Sequence, residues 1–306
     1  MSDLNPDLLK AKAMKVNIKV ILLPFLILSM LPMSLQAEES EIIVWNRIAS
    51  NLVVYKVLQM ALDETRDEFG PYRLTLSRPM EQGRVMLELT KNQKVHIANF
   101  APTPERENSL LPIRIPVTKG LLGYRICLIR AGTESRFDDI HSLSEWNKRG
   151  LVIGQGTHWP DTTILEGNGI KVAKSVKYLP LFDMLAQDRF DCFARSVSEV
   201  LPELEQHSAK GIVLENKLAL VYRLPSFFFV SRENPQLAER LEKGLTAILA
   251  DGSFDHFITT TYSAQLNKLG MKQRTPIYLD NPYLSKETQK IINDPTLWLN
   301  PFAKSD

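Results

Sequence analysis

Hydrophobic and polar positions along this chain follow the period of strands in some segments and of helices in others. Residues 72–76 alternate apolar and polar side chains, which predicts a half-buried strand. Residues 51–69 repeat apolar side chains at helical spacing from Tyr55 to Leu62 and end at Gly70, so we predict a helix there. Short apolar or β-branched runs predict the other strands, at 42–45, 95–100, 124–129, 151–154, 190–194 and 227–231. Further helices are predicted at 81–90, 142–148, after Pro180, and at 197–207, 234–250 and 253–269.

Strands separated by helices of this length predict βαβ units and mostly parallel sheets. The same alternation begins again after Lys119-Gly120, so we predict an α/β fold of two Rossmann-like lobes. From Arg274 the chain contains four prolines: Pro276, Pro282, Pro295 and Pro301. We expect this tail to wrap a lobe without forming a core of its own.

The first 37 residues have the pattern of a secretory signal peptide. A leader rich in lysine precedes the uncharged run 20–33, and Ala37 ends the segment just before two glutamates. The run is shorter than the roughly 20 apolar residues that a membrane-spanning helix needs, and it contains two prolines. We therefore expect export to the periplasm with cleavage near Ala37; an uncleaved anchor is the alternative. Synthesis starting at Met1 or at Met14 fits the pattern equally well.

Charge argues against nucleic acid as a partner. The chain has 306 residues with a formal net charge of +2, and removing residues 1–37 leaves equal numbers of basic and acidic side chains. Nucleic-acid binding needs a clustered basic surface, which such a balance does not provide. We expect a monomer without a nucleic-acid partner.

Both cysteines, Cys127 and Cys192, follow the predicted leader, so they would reach an oxidising compartment, where they could pair. Each also lies in a predicted strand, where a cysteine often serves as a small buried apolar residue. The sequence leaves both interpretations open.

Built-in metal or covalent chemistry has little support. The five histidines are scattered without metal-ligand spacing, and no nucleophile-elbow motif is present, so we predict no metal, no cofactor and no enzyme activity. Glu199, Glu203 and Glu205 suggest a solvated helix face, although a catalytic carboxylate pair stays open.

Two loops follow predicted strands at the edge where open α/β sheets bind ligands. Residues 154–157 (GQGT) could offer backbone N–H groups to an anion at a helix start. Residues 103–106 (TPER) end in Arg106, whose guanidinium can form a two-bond contact with a carboxylate.

The order of these motifs resembles the type II periplasmic solute-binding proteins, specifically the amino-acid-binding family three. Four stretches between about residues 42 and 270 carry the resemblance. They are residues 99–106 (NFAPTPER) with 113–120 (IRIPVTKG), residues 143–157 (LSEWNKRGLVIGQGT), residues 188–193 (DRFDCF), and residues 229–237 (FVSRENPQL) with 249–252 (LADG).

The resemblance implies roles for particular residues. Arg106, in the loop that starts at Thr103, would hold a ligand carboxylate, Gly156 and Thr157 would donate to that carboxylate, and Trp45 would form an aromatic wall. The family's acidic partner for an α-ammonium group is replaced here by Ser196, with Arg195 beside it. This departure suggests a ligand with more negative charge than an ordinary α-amino acid.

The resemblance also implies domain organisation and function. Residues 38–117 and 229–306 would form the first lobe, residues 118–228 the inserted second lobe, and two crossing strands a hinge. We expect a solute-binding protein that delivers a small polar or anionic solute to a membrane permease, most simply an ABC importer. The alternatives are a dehydratase-like periplasmic enzyme on the same scaffold and a receptor for a membrane signalling protein.

Overall fold

The computed structural model describes residues 39–303, so the predicted signal peptide lies outside the described residues. The strands are β1 Ser40–Val44, β2 Tyr72–Leu76, β3 Ile97–Phe100, β4 Leu110–Ile113, β5 Tyr124–Arg130, β6 Val152–Gly156, β7 Lys171–Ser175, β8 Cys192–Ser196, β9 Ile212–Leu214, β10 Leu218–Val221, β11 Phe227–Ser231 and β12 Thr275–Tyr278. The helices are α1 Asn46–Ser50, α2 Leu52–Glu64, α3 Arg66–Phe69, α4 Gln82–Thr90, α5 Pro104–Ser109, α6 Leu143–Arg149, α7 Pro160–Gly167, α8 Pro180–Ala186, α9 Val200–His207, α10 Pro235–Ala250, α11 Ser253–Lys268 and α12 Lys286–Ile291.

The first sheet has the order β2-β1-β3-β11-β4. Strand β1 pairs in parallel with β2 and β3, whereas β11 runs antiparallel to both β3 and β4. Helices α2 and α10 bury apolar faces beside this sheet, with Leu58 and Leu241 fully buried. The sheet is therefore mixed, because the chain that returns in β11 enters it against the direction of its neighbours.

The second sheet has the order β12-β10-β5-β8-β6-β7, with β9 also paired to β5. Strands β6, β7 and β8 are parallel, but β5 is antiparallel to β8, β9 and β10. Parallel and antiparallel pairings are equally numerous here and in the first sheet, so the prediction of mostly parallel sheets is wrong for both. Cys127 on β5 and Cys192 on β8 form a disulfide, and both are buried, so the two interpretations of the cysteines hold together.

The chain crosses between the sheets from β4 to β5 and again from β10 to β11, as predicted. The two crossings are tied together by hydrogen bonds from Val117 N to Ser226 O at 3.0 Å and from Tyr222 N to Gly123 O at 3.0 Å. Such a pair of linked crossings is the arrangement in which hinge motion between two halves is possible.

The C-terminal tail differs from its prediction. Strand β12 adds to the second sheet, parallel to β10, and α12 then lies against the first half, where Thr288 Oγ1 donates to Glu107 Oε1 at 2.9 Å. The tail therefore crosses twice more and contributes to both halves, whereas we expected it to stay with the first lobe. The lobe boundaries themselves stay a prediction, since the described residues form one compact unit.

Candidate functional site

A cavity of about 140 Å³ lies between the two sheets, next to the crossing segments. Its walls come from α1 and the residues next to it, the starts of α2 and α4, the end of β3, both crossings, the starts of β5 and α7, and the end of β8 with the loop after it. The lining side chains are Trp45, Arg47, Ile48, Asn51, Val54, Gln82, Asn99, Phe100, Ala101, Thr118, Leu122, Arg125, Trp159, Pro160, Asp161, Arg195, Ser198, Glu199 and Ser226. Apolar cavities of similar size accommodate a benzene-sized molecule, so this space suits a small ligand.

A buried ion pair forms part of the lining. Arg125 NH2 lies 2.6 Å from Asp161 Oδ1, and the two side chains are 3% and 5% exposed. Tyr222 donates its hydroxyl proton to the same Asp161 oxygen. Burial alone would lower the pKa of Arg125, but Asp161, Tyr222 and Glu199 overcome this effect and raise it. Arg125 is therefore a fixed cation, and burial also raises the pKa of Tyr222 well above its usual value, so its hydroxyl stays protonated.

Two buried polar atoms of the lining residues have no hydrogen-bond partner among the described residues. They are Nε of Arg125 and Oγ1 of Thr118, and both residues are 3% exposed. Leaving a buried donor unpaired costs roughly 1 to 3 kcal/mol, which is why native proteins seldom do so. A ligand acceptor that reaches them from this cavity would give these two groups the partner they lack.

A second cation, Arg195, is held by carboxylates. Its Nε donates to Glu203 Oε2 at 2.7 Å, and its NH2 donates to Glu203 Oε1 at 2.6 Å and Glu199 Oε2 at 3.1 Å. Burial would lower the pKa of Arg195, but the two glutamates raise it well above its usual value. Glu203 accepts two hydrogen bonds from the guanidinium, whereas Glu199 accepts one. Glu199 is partly exposed and also lines the cavity.

Aromatic rings complete the walls. The Arg195 guanidinium carbon lies 5.0 Å from the centre of the Trp159 ring. Trp159 can sit there because Gly156 has no side chain: a Cβ at that position would come within 2.6 Å of the indole. On the other wall, Trp45 Nε1 donates to Met80 O at 3.1 Å and its ring contacts Phe100 edge-on. Stacking faces therefore lie on both sides of the charged lining.

A third cation lies where the two halves meet. Arg47 NH2 contacts Glu81 Oε2 at 2.9 Å, and its guanidinium carbon lies 4.8 Å from the centre of the Tyr178 ring. Tyr178 in turn donates to Glu203 Oε1 at 2.6 Å. These contacts link α1, beside the first sheet, to the segment before α8, beside the second sheet.

Arg106, the predicted carboxylate clamp, is buried but does not line the cavity. Its NH1 donates to Ala101 O at 2.6 Å, and its NH2 donates to Gln82 Oε1 at 2.9 Å and His158 O at 3.0 Å. Burial lowers the pKa of Arg106 to about 10, so it stays protonated at neutral pH. In this conformation protein acceptors occupy the guanidinium, which joins α5 to the loop before α7.

The other predicted site residues fall into two groups. Trp45 and Arg195 line the cavity, whereas Thr103, Gly156, Thr157 and Ser196 do not. Thr103 caps α5 by accepting from Arg106 N at 3.2 Å, and Thr157 is exposed with its N–H donating to Ser175 O. Ser196 is fully buried, donates to Leu121 O and lies 2.7 Å from Ser198 Oγ. Their roles in ligand binding stay predictions.

Sequence analysis missed Asp161, Arg125 and Thr118 as site residues. A charged side chain inside the apolar run 124–129 was the available signal for Arg125, because an arginine in a buried strand needs a partner. Asp161, directly after Pro160 at the start of a helix, looked like an ordinary helix-start residue. Thr118 gave no signal, since only the fold shows that its hydroxyl lacks a partner.

No cluster of three or more histidine, cysteine or acidic side chains that could hold a metal ion occurs within residues 39–303. Within the same residues, no helix combines the length and the apolar character needed to cross a membrane.

No protein-family model and no curated protein matches the chain. Among solved structures, an ancestral arginine-binding protein bound to glutamine is 16% identical with a TM-score of 0.52, over 72% of this chain and 97% of that one. A mutant of ArgBP from T. maritima is 14% identical with a TM-score of 0.51, over 73% and 96% of the two chains. A structure from work on glutathione import via GshT and the cystine ABC importer TcyBC of Streptococcus mutans is 12% identical with a TM-score of 0.51, over 72% and 94%. The chain therefore has the fold of type II periplasmic binding proteins, as the resemblance implied.

Proposed function

We propose that this protein is a non-enzymatic receptor that captures a small polar solute in the cavity between its two sheets. The observation that carries the proposal is a pair of buried atoms among the lining residues, Nε of Arg125 and Oγ1 of Thr118, which have no hydrogen-bond partner within residues 39–303. The fold supports it, because solved structures with this fold include a protein that holds glutamine.

The ligand would carry an acidic group and a basic group. Three arginines line the cavity, and the unpartnered donor of Arg125 is suited to a carboxylate. Glu199 also lines the cavity and is partly exposed, so it can accept a bond from an ammonium group. Trp45 and Trp159 would cover the apolar part of the ligand. This assignment moves the carboxylate from Arg106 to Arg125 and replaces the missing acid at Ser196 by Glu199.

Binding would close the two halves over the solute. The crossings provide a hinge, and contacts between the halves such as Arg47 with Tyr178 form at the edge of the cleft. A closed and partly dry cavity strengthens each charged contact relative to water. The ligand would then pass to a membrane permease, most simply an ABC importer, from a protein exported to the periplasm.

A thermal-shift screen of the chain from Glu38 onward would test the proposal. Arginine, glutamine, cystine, glutathione and dicarboxylates are the first probes. A ligand that binds only the folded state adds about 2.7 kcal/mol of stability at one hundred times its Kd, which is easily visible. Recovery of the ligand unchanged after incubation fits a receptor, whereas conversion to a product would favour the alternative of an enzyme. If no polar solute gives a shift, the proposal fails.

The assignment of Glu199 can be tested separately with a matched pair of variants. Glu199→Gln keeps the size of the side chain but removes the charge, so we expect the amino-acid ligand to bind roughly ten times more weakly. Glu205→Gln makes the same change at an exposed position in α9, the helix that begins directly after Glu199, and should leave the affinity unchanged. Equal affinities in the two variants would exclude Glu199 as the partner of the ammonium group.

A further inference from the structure

A second cavity, with a volume of about 400 Å³, lies between the C-terminal tail and the edge of the second sheet. Its walls come from the first residue of β5, the end of β10, Arg223, the end of β12, and the tail from Ile292 to Phe302. It is separate from the cavity between the sheets, since the two share no lining residue. Its volume falls in the range typical of small-molecule sites.

Aromatic rings form much of this second cavity. Tyr124, Tyr278, Trp298 and Phe302 all line it, and Tyr124 packs against Phe302 with ring centres 5.8 Å apart. Tyr278 is 68% exposed, so its ring is accessible to a ligand in the second cavity. Such a set of rings suits the faces of a planar ligand.

Arg223 gives the second cavity a charge. Its guanidinium carbon lies 5.1 Å from the centre of the Trp298 ring, and among residues 39–303 its side chain has neither a hydrogen-bond acceptor nor an ion-pair partner. The carboxylate in the lining, Asp294, accepts bonds through Oδ1 from Thr296 N at 2.9 Å and Thr296 Oγ1 at 2.7 Å. The guanidinium is thus the cation of the lining that is available to a ligand, and it prefers a carboxylate.

The first crossing segment touches both cavities. Thr118, Leu122 and Arg125 line the cavity between the sheets. Between them, Lys119 O accepts from Leu299 N at 2.8 Å, and the indole of Trp298 lies so close to Gly120 that a Cβ there would come within 2.0 Å of it. Any ligand that moves Trp298 therefore acts directly on the segment that holds Thr118.

The second crossing has the same property. Tyr222 bonds to Asp161 on the side of the first cavity, whereas its neighbours Val221 and Arg223 line the second. A ligand bound in the second cavity would therefore affect both crossings. Coupling between two sites needs such a shared element whose position each ligand biases.

We propose that the second cavity is an effector site for an aromatic carboxylate, and that its occupancy changes the affinity of the cavity between the sheets. The rings would stack on the ligand, Arg223 would bind the carboxylate, and Trp298 would transmit the change to the first crossing. The coupling rests on the proposed solute-binding function, but binding at the second cavity does not.

Calorimetric titration of the chain from Glu38 onward with phenylacetate tests the site. We expect saturable binding that Arg223→Gln weakens roughly tenfold or more, because a charge-assisted contact is lost. Arg189→Gln is the matched control, since Arg189 is also exposed and does not line either cavity. Tyr278→Ala should weaken binding as well. Phenylacetamide, which lacks the charge, should bind about as weakly to the wild type as phenylacetate does to Arg223→Gln.

Several results would overturn the site. These are absence of phenylacetate binding, equal binding by Arg223→Gln and Arg189→Gln, or stronger binding of phenylethylamine or glucose than of phenylacetate. A further result would place phenylacetate in the first cavity. In that case phenylacetate and the solute found in the screen would exclude each other, and Arg223→Gln would have no effect on phenylacetate binding.

Coupling is tested by titrating that solute with and without saturating phenylacetate. We expect its Kd to change by at least about fivefold, and phenylacetate affinity to change by the same factor when the solute is bound. An unchanged Kd would overturn the effector role. Phenylacetate binding without any solute hit would instead refute the proposed function and leave the second site standing, so the two failures are distinguishable.

Discussion

Replacing Thr118 with valine should make the protein more stable and a poorer binder. The hydroxyl of Thr118 is buried without a partner among the described residues, and valine has nearly the same shape. An unsatisfied buried hydroxyl costs roughly 1 to 3 kcal/mol, and the new methyl group gains about 0.8 kcal/mol by burial. We expect the free energy of unfolding without ligand to rise by about 1 kcal/mol. This is less than the sum of the two terms, because relaxation of the structure around Thr118 already reduces the cost of its unsatisfied hydroxyl.

The same substitution should weaken ligand binding. If the hydroxyl donates to a ligand carboxylate, losing that bond costs about 1.5 to 3 kcal/mol, or roughly a 10- to 150-fold rise in Kd. Urea unfolding without ligand and calorimetric titration of the amino acid found in the screen measure the two effects. A gain in stability together with a loss of affinity would show that the hydroxyl destabilises the protein without ligand and stabilises the complex.

Thr288→Val supplies the matched control for Thr118→Val. Thr288 is fully buried, and its hydroxyl donates to Glu107 Oε1 at 2.9 Å in the first half, away from both cavities. This variant should lose about 1 to 3 kcal/mol of unfolding free energy and keep its affinity. If Thr118→Val behaves like Thr288→Val, with lower stability and unchanged affinity, then the Thr118 hydroxyl serves the fold and our assignment of the site is wrong.

Three further predictions follow from single contacts. Arg106→Ala should lower the unfolding free energy by about 2 to 4 kcal/mol, because it leaves the acceptors Ala101 O and His158 O without their donor. It should change the Kd of the amino-acid ligand less than Arg125→Ala does. A large loss of affinity with unchanged stability would restore Arg106 as the carboxylate clamp. Reducing the Cys127–Cys192 disulfide, which spans 65 residues, should cost about 4 kcal/mol in urea unfolding by the chain-entropy model, and equal midpoints with and without reductant would contradict this. Burial lowers the pKa of His96, whose Nδ1 accepts from Ile43 N at 3.1 Å beside Glu41. The unfolded state therefore binds protons more readily, and the unfolding free energy should fall as the pH drops below about 6.5. The unfolding free energy of His96→Asn should fall less over that range, and parallel pH curves for the two proteins would exclude His96 as a cause.

The sequence predicted the strands whose burial leaves a strong apolar signal. Strand β11 consists of fully buried residues and was predicted at its observed bounds. Strands β4, β7, β9, β10 and β12 were missed, because each has only three to five residues and four of them lie at or off the edges of their sheets. In β12 the residue Pro276 argued against a strand, yet β12 is an edge strand, where a proline breaks no necessary hydrogen bond.

The site was less predictable, because it depends on which partners a side chain finds in the fold. The resemblance assigned Arg106 by its place in a motif, and the structure places it in α5, the short helix that follows β3. Its acceptors, however, include His158 O from a loop 52 residues further along the chain. Only tertiary contacts decide whether that guanidinium meets a ligand or a protein carbonyl.

The buried charges around Arg125 and Arg195 argue most strongly that the cavity exists for a ligand. Antiparallel pairing places the start of β5 beside the end of β8, with Arg125 opposite Ser196, so the two cations meet at one edge. Burying ion pairs seldom stabilises a fold more than apolar residues of similar size would. A pure stability argument would therefore favour an apolar edge here. The buried Nε of Arg125, beside Asp161, has no acceptor within residues 39–303, and such a donor is costly to the fold. A ligand that supplies the missing acceptor is what would make that arrangement favourable.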